Sequence, residues 1–179
     1  MKKKIVVFGG SGFIGSYLVK ELIVRNYDVR VADLTPYQYN QGAEFCQCDI
    51  MVPSQIDAAL KGDVDFVYNF AGFANIDRAA DHPIDTFNLN VIGNLNILEI
   101  IKNKNIKRFI YSSSAYAMND KGSFYGISKL TSEKIIEEYN KKFGLKYTIL
   151  RFGSIYSELD FDNNYIYKIV YDIVTKHRI

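Results

Sequence analysis

Apolar positions along the chain follow two alternating periods. Short β-branched and apolar runs recur at Lys4–Phe8, Asp28–Asp33, Glu44–Cys48, Asp65–Phe70, Lys107–Ser112 and Lys146–Arg151, each the length of a buried strand. Between them lie longer stretches with apolar residues three and four apart. These predict helices over Gly12–Arg25, Pro53–Leu60, Pro83–Lys104, Tyr125–Phe143 and Tyr165–Lys176. Strands alternating with helices indicate βαβ units. The expected fold class is therefore α/β, a doubly wound parallel sheet with its six strands in the order 3-2-1-4-5-6. No linker, repeat or low-complexity tract interrupts the 179 residues, which read as one domain.

The helix from Pro83 carries more apolar residues than one sheet contact requires. On a regular wheel Ile84, Phe87, Val91, Leu95 and Leu98 share one face, and Leu89, Ile97 and Ile100 fall nearly opposite. A helix apolar on two sides needs a second partner, and a subunit interface is the expected one.

The first strand hands over to its helix through Gly9-Gly10-Ser11-Gly12-Phe13-Ile14-Gly15. Gly9 permits the tight turn, Gly12 lets backbone approach a pyrophosphate, and Gly15 lets the helix pack closely. The helix start, with Phe13 and Ile14, then aims its amides and positive dipole end at phosphates. Asp33 ends the second strand, where a carboxylate accepts ribose hydroxyls and repels a 2′-phosphate. Neither Arg nor Lys occurs from Leu34 to Leu60, so NAD is expected in preference to NADP. Asp49-Ile50 after the third strand offers an acid and an apolar side chain for an adenine. Asn69-Phe70-Ala71-Gly72 closes the fourth strand with small residues suited to close approach. This pattern predicts an NAD-binding Rossmann domain over residues 1–179.

Charge and composition narrow the choice. Twenty-two Lys and Arg against 20 Asp and Glu leave a net charge of +2 without a basic stripe, so nucleic acid has no electrostatic footprint here. Lys2-Lys3-Lys4 precedes too short an apolar run for a signal peptide, and no stretch approaches a membrane span. Cys46 and Cys48 lack the partners of a zinc site and read as reduced, structural thiols. The expected location is cytoplasmic, with no membrane partner and no metal.

Tyr125-Gly126-Ile127-Ser128-Lys129 sets a phenol and an ammonium four apart on one helical face. A free phenol ionises near pH 10 and is a poor base at neutrality. A nearby ammonium and a positive nicotinamide ring both favour the phenolate and make Tyr125 a usable general base. Tyr111-Ser112-Ser113-Ser114 ends the fifth strand, at the carboxyl edge where parallel sheets bind ligands, and a hydroxyl there can hold a substrate oxygen.

These segments together resemble the extended short-chain dehydrogenase/reductases, specifically the NAD-dependent epimerase/dehydratase family acting on nucleotide sugars. The resemblance spans essentially the whole chain. Gly9–Gly15 matches the family's G-x-x-G-x-x-G, Asp33 its ribose-binding acid, Asp49-Ile50 its adenine-contact pair, and Phe70-Ala71-Gly72 the segment beside the cofactor ribose. Asn90-Val91-Ile92-Gly93 resembles its N-V-x-G, Ser114 aligns with its catalytic Ser/Thr, and Tyr125 and Lys129 with its Y-x-x-x-K. Leu150-Arg151-Phe152-Gly153-Ser154-Ile155-Tyr156 resembles its L-R-x-x-N-x-Y. The resemblance implies a cofactor set of Gly9, Gly12, Phe13, Ile14, Gly15, Asp33, Leu34, Asp49, Ile50, Phe70, Ala71, Gly72, Asn90, Ser112, Tyr125, Lys129 and Phe152.

By the same resemblance, Tyr125 takes a proton from a sugar hydroxyl while hydride passes to NAD, and the keto sugar turns over before hydride returns. Lys129 holds the nicotinamide ribose and lowers the phenol's pKa, and Ser114 bonds the reacting oxygen. The implied substrate is a UDP-, dTDP- or GDP-linked hexose, and the implied assembly is a homodimer through a helix bundle. Ala115-Tyr116 stands where dehydratases carry an acidic pair, which argues against sugar dehydration. Ser154 replaces a usual Asn, and the step from Ser114 to Tyr125 is shorter than in most members. Residues 163–179 read as the start of a connection to a substrate domain that is absent, so the chain is expected to be a truncated epimerase. A reductase of a small carbonyl or sugar, or a non-catalytic dimeric NAD-binding module, are the competing expectations.

Overall fold

Residues Ile5, Val6, Val7 and Phe8 of β1 (Lys4–Phe8) are all buried, because the strand is covered on both faces. The computed structural model describes residues 2–36, 42–157 and 165–176. Ile5 and Val7 point into one apolar cluster with Val29, Val31, Val19 and Leu22. Val6 and Phe8 point into the other with Ala32, Val67, Phe109, Tyr111, Ile97, Leu98 and Ile136. A period of two with apolar residues at every position is what a central parallel strand requires.

β1 pairs in parallel with β2 (Asp28–Asp33) and β4 (Phe66–Asn69). β3 (Glu44–Gln47) lies outside β2, and β5 (Arg108–Ser114) and β6 (Tyr147–Phe152) extend the sheet from β4. The order is β3-β2-β1-β4-β5-β6, the doubly wound order read from the sequence, and the fold is a Rossmann fold. The helices are α1 (Phe13–Val24), α2 (Pro53–Ala59), α3 (Ile76–Asp81), α4 (Pro83–Phe87), α5 (Gly93–Ile101), α6 (Ser123–Phe143) and α7 (Tyr165–Lys176). Of the connection expected from residue 163, α7 is described, and 163–164 and 177–179 lie outside the described residues.

Three differences from the sequence expectation have physical causes. β5 runs two residues further, so Ser113 and Ser114 belong to the strand, paired with Arg151 and Phe152 of β6. α3 was not expected. At six residues it is too short to display a helical period, and Asn75 starts it by accepting the Arg78 amide at 2.9 Å.

The third difference corrects the faces of the Pro83 helix. A π turn, Asn88–Ile92, separates α4 from α5. A wide turn adds a residue and re-phases everything downstream by about 100°. Ile97, expected on an outer face, is therefore 0% exposed in the core beside Leu98 and Ile101. Leu89 and Ile100 are half-buried against the same cluster. Ile84, expected to face the sheet, is instead 75% exposed.

Cys48 is buried and Cys46 half-buried, both as free thiols. Burial pushes the Cys48 thiol up to about 12, so it is protonated at neutral pH. Among the described residues no helix is long and apolar enough to cross a membrane.

Candidate active site

The carboxyl ends of β1, β2 and β4 meet at the glycine loop, which is held by contacts that tolerate no side chain. Gly9 has φ +74°, and a Cβ there would stand 2.4 Å from the Ala71 nitrogen at the exit of β4. The close approach expected of Gly15 is to the loop itself, since its Cβ would meet the Gly9 carbonyl oxygen and the Gly10 Cα. Gly12 is the N-cap of α1 and offers no side-chain cap. The first-turn amides of Phe13, Ile14 and Gly15 thus have no intrahelical carbonyl to satisfy them. Ser11 Oγ is buried and makes no hydrogen bond among the described residues. An orphaned hydroxyl beside uncapped helix amides fits a phosphate group.

Asp33 is tied to this loop. Its Oδ2 accepts the Ser11 amide at 2.9 Å and its Oδ1 accepts the Leu34 amide at 2.7 Å, while the Leu34 side chain is exposed. Asp49 Oδ1 accepts the Met51 amide at 2.8 Å, the bond of a turn former. The Ile50 side chain, expected on an adenine face, lies mostly in the core against Gly93. Phe70 stacks with Tyr68 and tilts against Phe152 at 6.0 Å between centroids, bridging the ends of β4 and β6.

Asn90, in the π turn, is 1% exposed and fully engaged by protein. Its Oδ1 accepts the Phe73 amide at 2.8 Å, and its Nδ2 donates to the Phe73 carbonyl and to Ser128 Oγ. A Cβ on Gly72 would stand 2.5 Å from that Oδ1. Asn90 was expected to contact a cofactor; here it holds the loop after β4 against α6. Ser128 Oγ donates to the Tyr125 carbonyl and Ser132 Oγ donates to the Asn90 carbonyl at 2.6 Å. These two serines were not singled out in the sequence. Their mark there is spacing alone, four apart on the stripe of α6 that carries Lys129.

Ser114, Tyr125 and Lys129 lie close to one another. Lys129 is 5% exposed, and its Nζ donates to the Ser112 carbonyl at 2.9 Å. That nitrogen lies 5.1 Å from the Tyr111 ring centroid and 5.8 Å from that of Tyr125. Ser114 is buried at the end of β5, and its Oγ accepts the Tyr116 amide at 3.2 Å. Burial raises the Tyr125 phenol above its ordinary value, and a hydrogen bond with Ser114 opposes that rise. Burial pulls Lys129 down to about 8. The net direction at Tyr125 is thus upward in the protein alone, where the sequence led us to expect a lowering by Lys129.

The fold is that of a Rossmann domain of the short-chain dehydrogenase/reductase type. A family model, the NAD dependent epimerase/dehydratase family, matches residues 5–179, and the chain belongs to that family. It is 33% identical over 172 residues to a putative UDP-glucose 4-epimerase of Methanocaldococcus jannaschii, covering 86% of this chain and 56% of that protein. Its fold is similar to that of Thermotoga maritima UDP-glucose 4-epimerase solved with UDP-glucose, at TM-score 0.80 and 30% identity over 86% of this chain and 56% of that one. The Thermus thermophilus UDP-glucose 4-epimerase solved with NAD gives TM-score 0.78 at 27% identity, with the same coverage. The chain spans about half the length of the curated relatives it matches.

Proposed function

We propose that this chain is the NAD-binding, catalytic-group-bearing part of a nucleotide-sugar 4-epimerase acting on a UDP-hexose. The observation that supports it most is the convergence of Ser114, Tyr125 and Lys129 at the carboxyl edge of a sheet whose glycine loop carries an orphaned Ser11 hydroxyl and uncapped helix amides. The names of the relatives supply the sugar nucleotide and the carbon inverted.

Gly9, Gly12, Phe13, Ile14 and Gly15 take the pyrophosphate, Asp33 with Leu34 the adenosine ribose, and Asp49 with Ile50 the adenine side. Phe70, Ala71, Gly72, Ser112 and Phe152 line the nicotinamide half, with Asn90 holding their loop in place. Bound NAD supplies a reversible hydride acceptor. Tyr125 Oη removes and returns the proton at the sugar hydroxyl, and Ser114 Oγ bonds that same oxygen. Lys129, kept in place by the Ser112 carbonyl, binds the nicotinamide ribose and favours the phenolate as the site gains positive charge. The upward shift of Tyr125 in the protein alone is the state that this charge reverses.

The assembly we propose is a homodimer. Ile84 of α4, Ile92 of the π turn, and Phe124, Ile127 and Leu130 of α6 are all exposed. With Pro83 and Phe87 several of them line one open groove. A second copy, packed helix to helix, is the partner that covers such a face.

Interconversion of UDP-glucose and UDP-galactose, followed by NMR with excess NAD over long incubations, tests the proposal. Turnover is expected to be slow, because contacts remote from the reacting carbon normally help to position it and the chain spans only about half of its relatives. Tyr125→Phe should abolish the interconversion, a loss of about 10²–10⁴ in rate, and leave NAD affinity within a few-fold. A chain that binds no NAD by calorimetry overturns the reading.

A further inference from the structure

One buried charged group takes no part in the chemistry above. Glu133 lies on α6, four residues beyond Lys129 and eight beyond Tyr125, so the three follow one stripe of the helix. Its side chain is 0% exposed. Ser113 Oγ donates to its Oε1 at 2.5 Å, and Arg151 Nε donates to the same oxygen at 2.9 Å. Arg151 Nη2 donates to Oε2 at 2.6 Å. Ser113 and Arg151 are direct neighbours across the β5–β6 register. The carboxylate therefore grips two strands at one level from the helix above them.

We propose that Glu133 is a positioning residue: by holding Ser113 it fixes the Ser112 carbonyl and the Ser114 hydroxyl, on either side, relative to Lys129 and Tyr125. The proposal rests on reading Ser114, Tyr125 and Lys129 as the catalytic group. The geometry is economical. α6 is bonded to two successive residues of β5, through Lys129 to Ser112 and through Glu133 to Ser113, and the next residue along is Ser114.

Stability does not account for the arrangement by itself. Burying the Glu133 carboxylate carries a desolvation cost that its bonds must first offset, and its partner Arg151 keeps 41% of its side chain exposed. Burial works against the Glu133 charge, yet the bonds from Arg151 and Ser113 outweigh it and hold the carboxyl below the ordinary carboxylate range. Glu133 therefore stays an acceptor for both partners throughout the neutral range.

The test is a pH titration of Lys129 in the whole chain by NMR of ε-carbon-labelled lysine, with no cofactor or substrate present. The resonance is assigned by its loss in Lys129→Arg. Lys129 is surrounded by the Ser112 carbonyl, the Tyr111 and Tyr125 rings and the backbone at Gly72, with Glu133 one turn further along α6. Its midpoint in the unaltered chain is expected at about 8. Ser113→Ala removes one hydroxyl and leaves the Glu133–Arg151 pair intact. It should lower the Lys129 midpoint by about half a pH unit or more, since a displaced Ser112 carbonyl supports the ammonium less. Glu133→Gln also removes a nearby negative charge, which lowers the midpoint on its own, so the decision rests on Ser113→Ala, which leaves that charge in place. Ser113→Thr, which keeps the hydroxyl, should hold the unaltered value. A merely structural bond predicts a lower melting temperature with an unmoved midpoint. An unmoved or raised midpoint in Ser113→Ala overturns the proposal. Failure of the NAD titration is a separate result, which strikes at the functional reading and not at the geometry probed here.

Discussion

Gly15 and Gly9 are in contact across the loop they bracket: a methyl group on Gly15 would stand 2.1 Å from the Gly9 carbonyl oxygen. Backbone cannot yield there as a side-chain tip can. Gly15→Ala is expected to destabilise the protein by about 1–3 kcal/mol through overpacking. It should also weaken NAD binding by about tenfold or more, because the shifted loop carries the phosphate-facing amides. Urea denaturation and calorimetry measure the two effects. An unchanged affinity would remove the loop from the binding site.

Asp33 is expected to make the chain prefer NAD to NADP by about tenfold or more, a difference of about 1.4 kcal/mol. Its carboxylate sits at the end of β2 with both oxygens on backbone amides, and a 2′-phosphate brought there meets like charge. Asp33→Asn should narrow the preference. Parallel titration of the two cofactors decides, and equal or tighter NADP binding would refute this role for Asp33.

Lys129 gives a pH signature to stability. Burial lowers it from 10.5 to about 8, so between those values the unfolded chain binds more protons than the folded one. Its contribution to stability therefore rises as pH increases from about 8 to about 10.5. Below about pH 8 the full penalty of burying the charge, about 3 kcal/mol, is in force. Lys129→Met should accordingly gain on the unaltered chain at about pH 7 and lose that advantage by about pH 10. Urea denaturation of both chains at the two pH values checks this. A stability difference independent of pH would mean that Lys129 is not charged and buried.

Ile127 is the position from which to break the proposed dimer, being 54% exposed on the groove between α4 and α6. Ile127→Glu should shift the mass in light scattering from dimer to monomer and leave NAD binding largely intact. The wheel drawn from sequence pointed to Ile97 for this purpose, but a charge there would enter the core and unfold the chain. An unaltered chain that is monomeric at every concentration would refute the dimer.

The glycine loop, Asp33 at its strand end and the Tyr125–Lys129 spacing were legible because each is local, and the sheet order follows from strands alternating with helices behind that loop. A strand, a turn or a four-residue spacing carries its own signature. What escaped depends on partners distant in sequence. The π turn at Asn88–Ile92 exists in company with a Ser132 hydroxyl that takes the Asn90 carbonyl, and no periodicity within the helix announces it. Ser128, Ser132 and Glu133 are polar, so a hydrophobicity pattern assigns them outward, yet all three are fully buried. Their hydrogen-bond partners lie on the π turn, on β5 and β6, and in Tyr125 of their own helix. The upward direction of the Tyr125 shift in the protein alone was not legible for a related reason. Spacing shows that an ammonium is near, but not that burial weighs more.

The wide turn also divides one helix into two lengths that answer to different demands. Upstream of it, Ile84 is turned to the surface and is answerable to whatever lies across the groove. Downstream, Ile97, Leu98 and Ile101 are answerable to the interior, where they share one cluster with strand residues and with α2 and α6. Between them Asn90 looks across to Phe73 and Ser128, so the junction of the two lengths is itself bonded to the loop after β4 and to α6. A surface substitution in α4 can thus alter association without disturbing the interior, whereas deleting a single residue from 88–92 would rotate both lengths into each other's register and dislodge the loop beside Lys129.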